Sequence, residues 1–130
     1  MDVLLDTCCL IWAASEPEQL TPKVADVLQA EDTAVGVSVI SCAELACLAD
    51  RQRIVLDRHW RQWFKEVIEL NGWQVIDIDL QIVEEAYSLP GEYHRDPADR
   101  IIAATARLKH LTILTADQKI LDYPHVETMW

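Results

Sequence analysis

Acidic residues follow several apolar segments of this 130-residue chain, at positions that suggest a shared site. Asp6 ends the apolar run Val3 to Leu5, and Asp117 lies just beyond the segment LTILT. Glu44 follows VGVSVISCA, and Asp99 stands within HRDPADRIIAATAR. Carboxylates gathered in one cleft repel one another, whereas a hard divalent cation such as Mg²⁺ or Mn²⁺ takes oxygen ligands of this kind. The four acids are therefore candidate ligands of a metal ion.

A structural interpretation also exists for each acid taken alone. In HRDPADR, Asp96 can be the N-cap of a helix that starts at Pro97, with Asp99 as the N3 partner of a capping box. On that segment alone, capping is the favoured interpretation. The metal-site interpretation gains support only if the fold brings all four acids close together.

Apolar runs that alternate with helical patterns predict the elements that must position these acids. The predicted strands are 3–5, 35–39, 73–78, 111–115 and 126–130, and the predicted helices are 22–30, 40–48, 58–70, 80–89, 97–109 and a short helix after Asp117. The strands are apolar rather than alternating, which favours a parallel sheet covered on both faces. The chain has no internal repeat or linker, so we expect residues 1–130 to form a single domain.

The edge at which parallel strands end determines where the acids would meet. Open parallel sheets bind ligands beyond the carboxyl ends of the strands, where the strand order reverses. If the first and fourth strands are neighbours there, Asp6 and Asp117 face each other. The helix that starts at Pro97 must begin at the same edge to lead into a parallel strand, which places Asp99 beside them.

Other catalytic arrangements have little support in the sequence. The serines form no GxSxG elbow, and Cys8 and Cys9 have no histidine nearby in the sequence. No pair of cysteines has the CxxC spacing, which predicts reduced and partly buried thiols. No stretch approaches the roughly 20 apolar residues of a membrane span, and acids interrupt the opening segment, so we expect a cytoplasmic protein with no membrane partner.

The net charge of −11 opposes nucleic-acid binding at long range, so such binding would need a local basic surface or bound cations. One tract, RQRIVLDRHWRQWFK at 51–65, contains five basic residues and one acidic residue. The basic residues of this basic tract are Arg51, Arg53, Arg58, Arg61 and Lys65. A solvated helix face is an equally good interpretation of the basic tract.

Four blocks of the sequence carry a family resemblance. LLDTCCLIW, SVISCAELA, HRDPADRIIAATA and LTILTAD together resemble the PIN-domain nucleases, and more closely the VapC-type toxins of toxin–antitoxin pairs. The match extends over essentially the whole chain and keeps the order and spacing of the family. Its most specific part is the third block followed by LTAD.

The resemblance implies a metal-dependent ribonuclease on a three-layer α/β/α doubly wound fold with a five-stranded parallel sheet. Carried over by motif, the acidic cluster of catalytic and metal-binding residues would be Asp6, Glu44, Asp99 and Asp117. Thr115 would support the metal shell through its hydroxyl, and Asp96 would keep the capping role. The implied cofactor is Mg²⁺ or Mn²⁺.

The resemblance also implies partners: an RNA substrate, a cognate antitoxin that offers a cation to the acidic pocket and an amphipathic helix to an apolar groove, and a second copy in a homodimer. Two other classes remain open. A receiver-type phosphoacceptor module would need an acidic pair after the first strand and a lysine at the end of the last, and neither is present in the sequence. A non-catalytic interaction domain on a similar α/β fold is the remaining alternative.

Overall fold

In residues 2–130, which the computed structural model describes, a sheet of five parallel strands forms the centre of the molecule. The strands are β1 (Asp2–Leu5), β2 (Ala34–Ser38), β3 (Gln74–Ile76), β4 (Thr112–Leu114) and β5 (Thr128–Met129). Their order is β3-β2-β1-β4-β5, and every neighbouring pair is parallel. Because β1 lies between β2 and β4, the strand order reverses there, which confirms that the first and fourth strands are neighbours.

Helices cover the two faces of the sheet. They are α1 (Thr7–Ser15), α2 (Pro22–Gln29), α3 (Val39–Asp50), α4 (Trp60–Asn71), α5 (Leu80–Ala86), α6 (Pro97–Lys109) and α7 (Gln118–Leu121), with a short 3₁₀ turn at Pro17–Gln19. Within residues 2–130, none of these helices combines the length and the apolar character that a membrane crossing demands.

The side chains of β1 divide the core into two layers. Val3 and Leu5 pack on one face with residues of α1, α2 and α4, whereas Leu4 packs on the other face against Ile102 of α6 and Ile120 of α7. Leu4 and Leu5 are fully buried, and each contributes roughly 1.5–3 kcal/mol to the stability of the fold. Burial of both faces of β1, β2 and β4 explains their apolar sequences, and the layers confirm the three-layer α/β/α doubly wound fold.

Helix ends explain most differences between the predicted and observed bounds. The helix predicted at 58–70 begins two residues later, because the His59 side chain accepts a hydrogen bond from Arg61 N and serves as the N-cap. It ends before Gly72, which adopts a left-handed conformation at φ 66° that glycine tolerates best. The helix predicted at 80–89 ends at Ala86.

The sequence pattern does not predict α1. Its sequence TCCLIWAAS is apolar on most sides, so it lacks the 3.6-residue period that identifies an amphipathic helix. Its N-cap is Asp6, whose side chain accepts a hydrogen bond from Cys9 N at 2.7 Å. One residue therefore both starts a helix and belongs to the predicted acidic cluster, and the N-terminus of α1 lies at the carboxyl edge of the sheet.

Candidate functional site

Asp6 occupies the centre of the carboxyl edge, directly after β1. Both of its carboxylate oxygens accept hydrogen bonds, Oδ1 from Cys9 N at 2.7 Å and Oδ2 from Thr115 Oγ1 at 2.5 Å. The residue is 6% exposed, and this burial raises the pKa of its carboxyl, although the two hydrogen bonds oppose the shift. The Asp6 side chain is thus held in place by an adjacent strand and by its own helix.

Thr115 connects the ends of the two central strands. It follows β4, is fully buried, and accepts a hydrogen bond from Asp117 N at 3.0 Å while donating to Asp6. Asp117 caps α7, with Oδ1 accepting from Lys119 N at 2.9 Å. The threonine hydroxyl therefore lies behind Asp6 and fixes the relative positions of the two acids.

Glu44 reaches the same edge from α3, the helix that follows β2. Its Oε1 accepts a hydrogen bond from Thr7 Oγ1 at 2.5 Å, and Thr7 Oγ1 also lies 3.0 Å from Ser41 Oγ. Burial raises the pKa of the Glu44 carboxyl, the Thr7 hydrogen bond opposes this, and the charges of Asp96 and Asp6 add to the rise.

Asp99 lies in the first turn of α6, as the capping pattern predicts. Its backbone N donates to Asp96 Oδ1 at 3.1 Å, which confirms Asp96 as the N-cap. The Asp99 side chain is not used in a capping box; its Oδ2 lies 3.1 Å from His94 Nε2. Burial, followed by the neighbouring negative charges of Asp96, Glu44, Asp117 and Asp6, raises the pKa of the Asp99 carboxyl to about 7.

The structure brings the four predicted acids into one electrostatic cluster, with Thr115 behind them. In residues 2–130, no lysine or arginine is among the groups that shift the raised pKa values of Asp6, Glu44 and Asp99. Such a set of oxygen donors, destabilised by desolvation and mutual repulsion, fits the chemistry of a hard divalent cation. As positioned, no three His, Cys, Asp or Glu side chains in that part of the chain lie close enough to hold an ion, so binding would have to draw the carboxylates together.

Three residues beside these acids were not predicted from the sequence. Thr7 and Ser41 touch the site through side-chain contacts between α1 and α3, and His94 approaches Asp99 from the loop before α6. In the sequence, Thr7 is marked only by following Asp6, Ser41 by standing three residues before Glu44, and His94 by its place in HRDPAD. Spacing of this kind also fits a buried or capping residue, so it could not single them out.

The thiols at the start of α1 lie beside the cluster but are not activated by it. All four cysteines are free, as predicted; Cys9 is buried, whereas Cys8 is exposed. Partial desolvation of the Cys8 thiol, followed by the charges of Asp6, Glu44 and other acids, raises its pKa to about 11. A thiol with this pKa carries very little thiolate at neutral pH, which makes it a poor nucleophile.

Comparison with known proteins gives concordant matches. A profile described as "PIN domain" matches residues 3–126. The chain is 31% identical over 130 residues to Ribonuclease VapC22 of Mycobacterium tuberculosis, with 98% of each chain covered.

Solved structures with similar folds include VapBC2 from Rickettsia felis bound to a promoter DNA fragment, with a TM-score of 0.73, 19% identity, and 99% of this chain and 98% of that chain covered. A toxin–antitoxin complex from Klebsiella pneumoniae has a TM-score of 0.67 and 23% identity, with 98% and 96% covered.

Proposed function

The chain belongs to the PIN domain family, and from that premise we propose that it is a metal-dependent ribonuclease that acts as the toxin of a toxin–antitoxin pair. The observation that supports this most directly is the cluster of Asp6, Glu44, Asp99 and Asp117 at the carboxyl edge. Similarity to Ribonuclease VapC22 over nearly the whole chain supports the same activity.

The four carboxylates are the proposed ligands of Mg²⁺ or Mn²⁺, with Thr115 acting through Asp6. When bound, such an ion would lower the pKa of a coordinated water and neutralise charge on the phosphoryl oxygens of RNA. Asp6 enters the site already oriented, because Thr115 and Cys9 N each hold one of its oxygens. Asp99, whose pKa is about 7, must release its proton before it can serve as a ligand at neutral pH.

Hydrolysis by water, rather than a covalent enzyme intermediate, is the reaction that these residues support. Cys8 has a pKa of about 11 and is therefore mostly protonated at neutral pH. Ser41 is fully buried and its hydroxyl contacts Thr7, so it is not exposed to a substrate. The acids remain the groups that can bind an ion and orient water against the phosphorus.

An antitoxin is the proposed protein partner, because structures of similar fold are described as toxin–antitoxin or VapBC complexes. A cationic side chain from such a partner would pair with the same carboxylates that otherwise take a metal ion. A homodimer is also proposed, as the resemblance implies. A receiver-type module is not favoured, since β5 (Thr128–Met129) supplies no lysine and the chain belongs to a different family.

Cleavage of bulk RNA by the purified chain, with Mg²⁺, Mn²⁺ or excess EDTA, tests the proposal. We expect cleavage only with metal, and a loss of orders of magnitude in Asp6→Asn, which keeps a capping side chain but removes a charge. Asp26→Asn, an exposed change in α2, is the matched control. Full activity in EDTA would contradict metal dependence, and inactivity of folded protein with metal would favour the non-catalytic alternative.

A further inference from the structure

Two buried hydroxyl groups connect α1 to the Glu44 carboxylate. Thr7 Oγ1 lies 2.5 Å from Glu44 Oε1 and 3.0 Å from Ser41 Oγ. Ser41 is fully buried and Thr7 is 6% exposed, so bulk water has little access to either hydroxyl. Thr7 is separated from Ser41 and Glu44 by 34 and 37 positions, so these contacts depend on the packing of α1 against α3.

The number of hydrogens determines the direction of the two hydrogen bonds. A hydroxyl has one hydrogen to donate, and an ionised carboxylate can only accept. The Thr7 hydrogen is therefore donated to Glu44 Oε1, and the Ser41 hydroxyl must donate to Thr7 Oγ1. Among residues 2–130, the side-chain hydrogen-bond partner of the Ser41 hydroxyl is Thr7.

We propose that Ser41 and Thr7 form a hydroxyl relay that positions Glu44 as a ligand in the acidic site. This inference rests on the proposed function and adds two positioning residues to it. Glu44 has three rotatable side-chain bonds and is only half-buried, so an ion would otherwise have to restrict a mobile side chain. The relay fixes Glu44 Oε1 and leaves Glu44 Oε2 available to bind the metal ion.

The geometry resembles the support that Asp6 receives on the other side of the site. There, Thr115 Oγ1 accepts from Asp117 N and donates to Asp6 Oδ2 at 2.5 Å. In both places a buried threonine hydroxyl receives one hydrogen bond and gives its own hydrogen to a carboxylate. Groups of this kind, one step removed from a metal ion, fix the orientation of its ligands.

Hydroxyl deletion at Thr7, with metal binding as the readout, tests the relay. Thr7→Val removes the hydroxyl and nearly keeps the shape, and Thr7→Ser restores the hydroxyl. Thr105→Val is the matched control, because Thr105 is also fully buried but its hydroxyl donates to Ile101 O within α6. Mn²⁺ affinity is measured by calorimetry on metal-stripped protein, and thermal midpoints are measured in EDTA.

We expect Thr7→Val to weaken Mn²⁺ binding by about 10- to 100-fold, the usual effect of removing a group that orients a ligand. Thr7→Ser should bind nearly as wild type, and Thr105→Val should melt earlier without losing affinity. Ser41→Ala should weaken binding less than Thr7→Val, and the double variant should match Thr7→Val alone, since Ser41 acts through Thr7. In a Glu44→Ala background, Thr7→Val should cause no further loss.

The other possible results contradict either the relay or the proposed ribonuclease activity, and the two failures can be told apart. Unchanged Mn²⁺ affinity in Thr7→Val, or an equal loss in the Glu44→Ala background, would overturn the relay while leaving the ribonuclease proposal intact. Independent, additive losses in the double variant would exclude action of Ser41 through Thr7. Normal Mn²⁺ binding with no RNA cleavage by wild type would overturn the proposed activity alone, and wild type without Mn²⁺ binding would overturn both.

Discussion

Two aspartates in one helical turn of α6 have different partners. Asp96 accepts a hydrogen bond from the backbone of Asp99, whereas the Asp99 carboxylate lies among other acids and beside His94. The capping interaction uses the amide of Asp99 and leaves its side chain available. A segment that can be explained entirely by helix capping can therefore still supply a candidate ligand.

Substitution of each aspartate should separate stability from activity. Asp99→Asn removes a charge from the proposed ligand set, so RNA cleavage should fall by orders of magnitude while the fold is retained. Asp96→Ala should lose about 0.5–2 kcal/mol of stability through the missing cap, yet still cleave RNA when folded. Thermal midpoints and cleavage rates of both variants would check this. Normal cleavage by Asp99→Asn with a stable but inactive Asp96→Ala would reverse the assignment.

The pH dependence of stability should carry a contribution from Asp99. Its pKa rises from 3.8 to about 7 in the fold, so between these values the folded chain holds a proton that the unfolded chain has lost. This contribution to the free energy of unfolding is present at low pH, falls as pH rises from about 4 to about 7, and is then constant. Thermal midpoints in EDTA should show this fall in wild type relative to Asp99→Asn; parallel pH profiles would contradict it.

At the residue scale, the sequence predicted acids that follow apolar strands, because the ends of parallel strands are set by topology. It did not predict Thr7, Ser41 or His94. Their roles depend on which side chains meet when α1, α3 and the loop before α6 pack together, and one sequence does not contain that information.

At the scale of elements, helix boundaries depend on a few capping residues. Thr21, Asp79 and Asp96 are the N-caps of α2, α5 and α6, and the role of Asp96 is the one predicted above. The helix α1 was missed because its all-apolar sequence has no period, and because its cap is Asp6, an acid that the sequence had linked to the site.

Gly72 offers a test of helix ending that leaves the site unchanged. A Cβ at this position would meet no atom within 4 Å, so Gly72→Ala adds only the strain of a left-handed conformation. We expect a loss of about 1–2 kcal/mol in urea unfolding, with cleavage by the folded protein unchanged. Gly72→Asn should lose less, since asparagine adopts this conformation more readily. Equal stability of all three proteins would show that the αL position is not what limits residue choice there.

At the scale of the whole molecule, the basic tract lies away from the acids. Its residues Val55 to Arg58 line a surface pocket with Ala13 to Ser15 at the far end of α1, whose length from Thr7 is roughly 12 Å. Arg58 pairs with Asp57 at 2.6 Å and with Glu66 at 2.8 Å, so its charge is largely used within the chain. Arg53 and Arg61 are exposed and remain candidates for contact with phosphates.

Reversal of those two charges, Arg53→Glu with Arg61→Glu, should weaken RNA binding and flatten its dependence on salt, because fewer counterions would be released. Fluorescence anisotropy with a labelled RNA at several salt concentrations would measure this. Arg58→Glu is the comparison, and it should chiefly lower stability by leaving two carboxylates unpaired. A salt dependence identical to that of wild type would show that the basic tract does not bind the substrate.

The parallel sheet and the helical layers on both of its faces could be inferred from the sequence, because parallel connections restrict topology strongly. The strand order could not, and the expectation that Asp6 faces Asp117 depended on β1 and β4 being neighbours, as the structure shows them to be. The distances between the carboxylates could not be inferred from the sequence, since they depend on side-chain rotamers and on the burial of each group.

The hydrogen bond between Thr115 and Asp6 joins residues 109 positions apart. The middle of the sheet has the same property, because β1 pairs with β4 near the end of the sequence. While the chain is being synthesised, its early part emerges from the ribosome with Asp6 in place but without the threonine and Asp117 that complete the edge. The carboxyl edge is therefore incomplete until Thr115 and Asp117 have been synthesised, so the four acids cannot act together before that point.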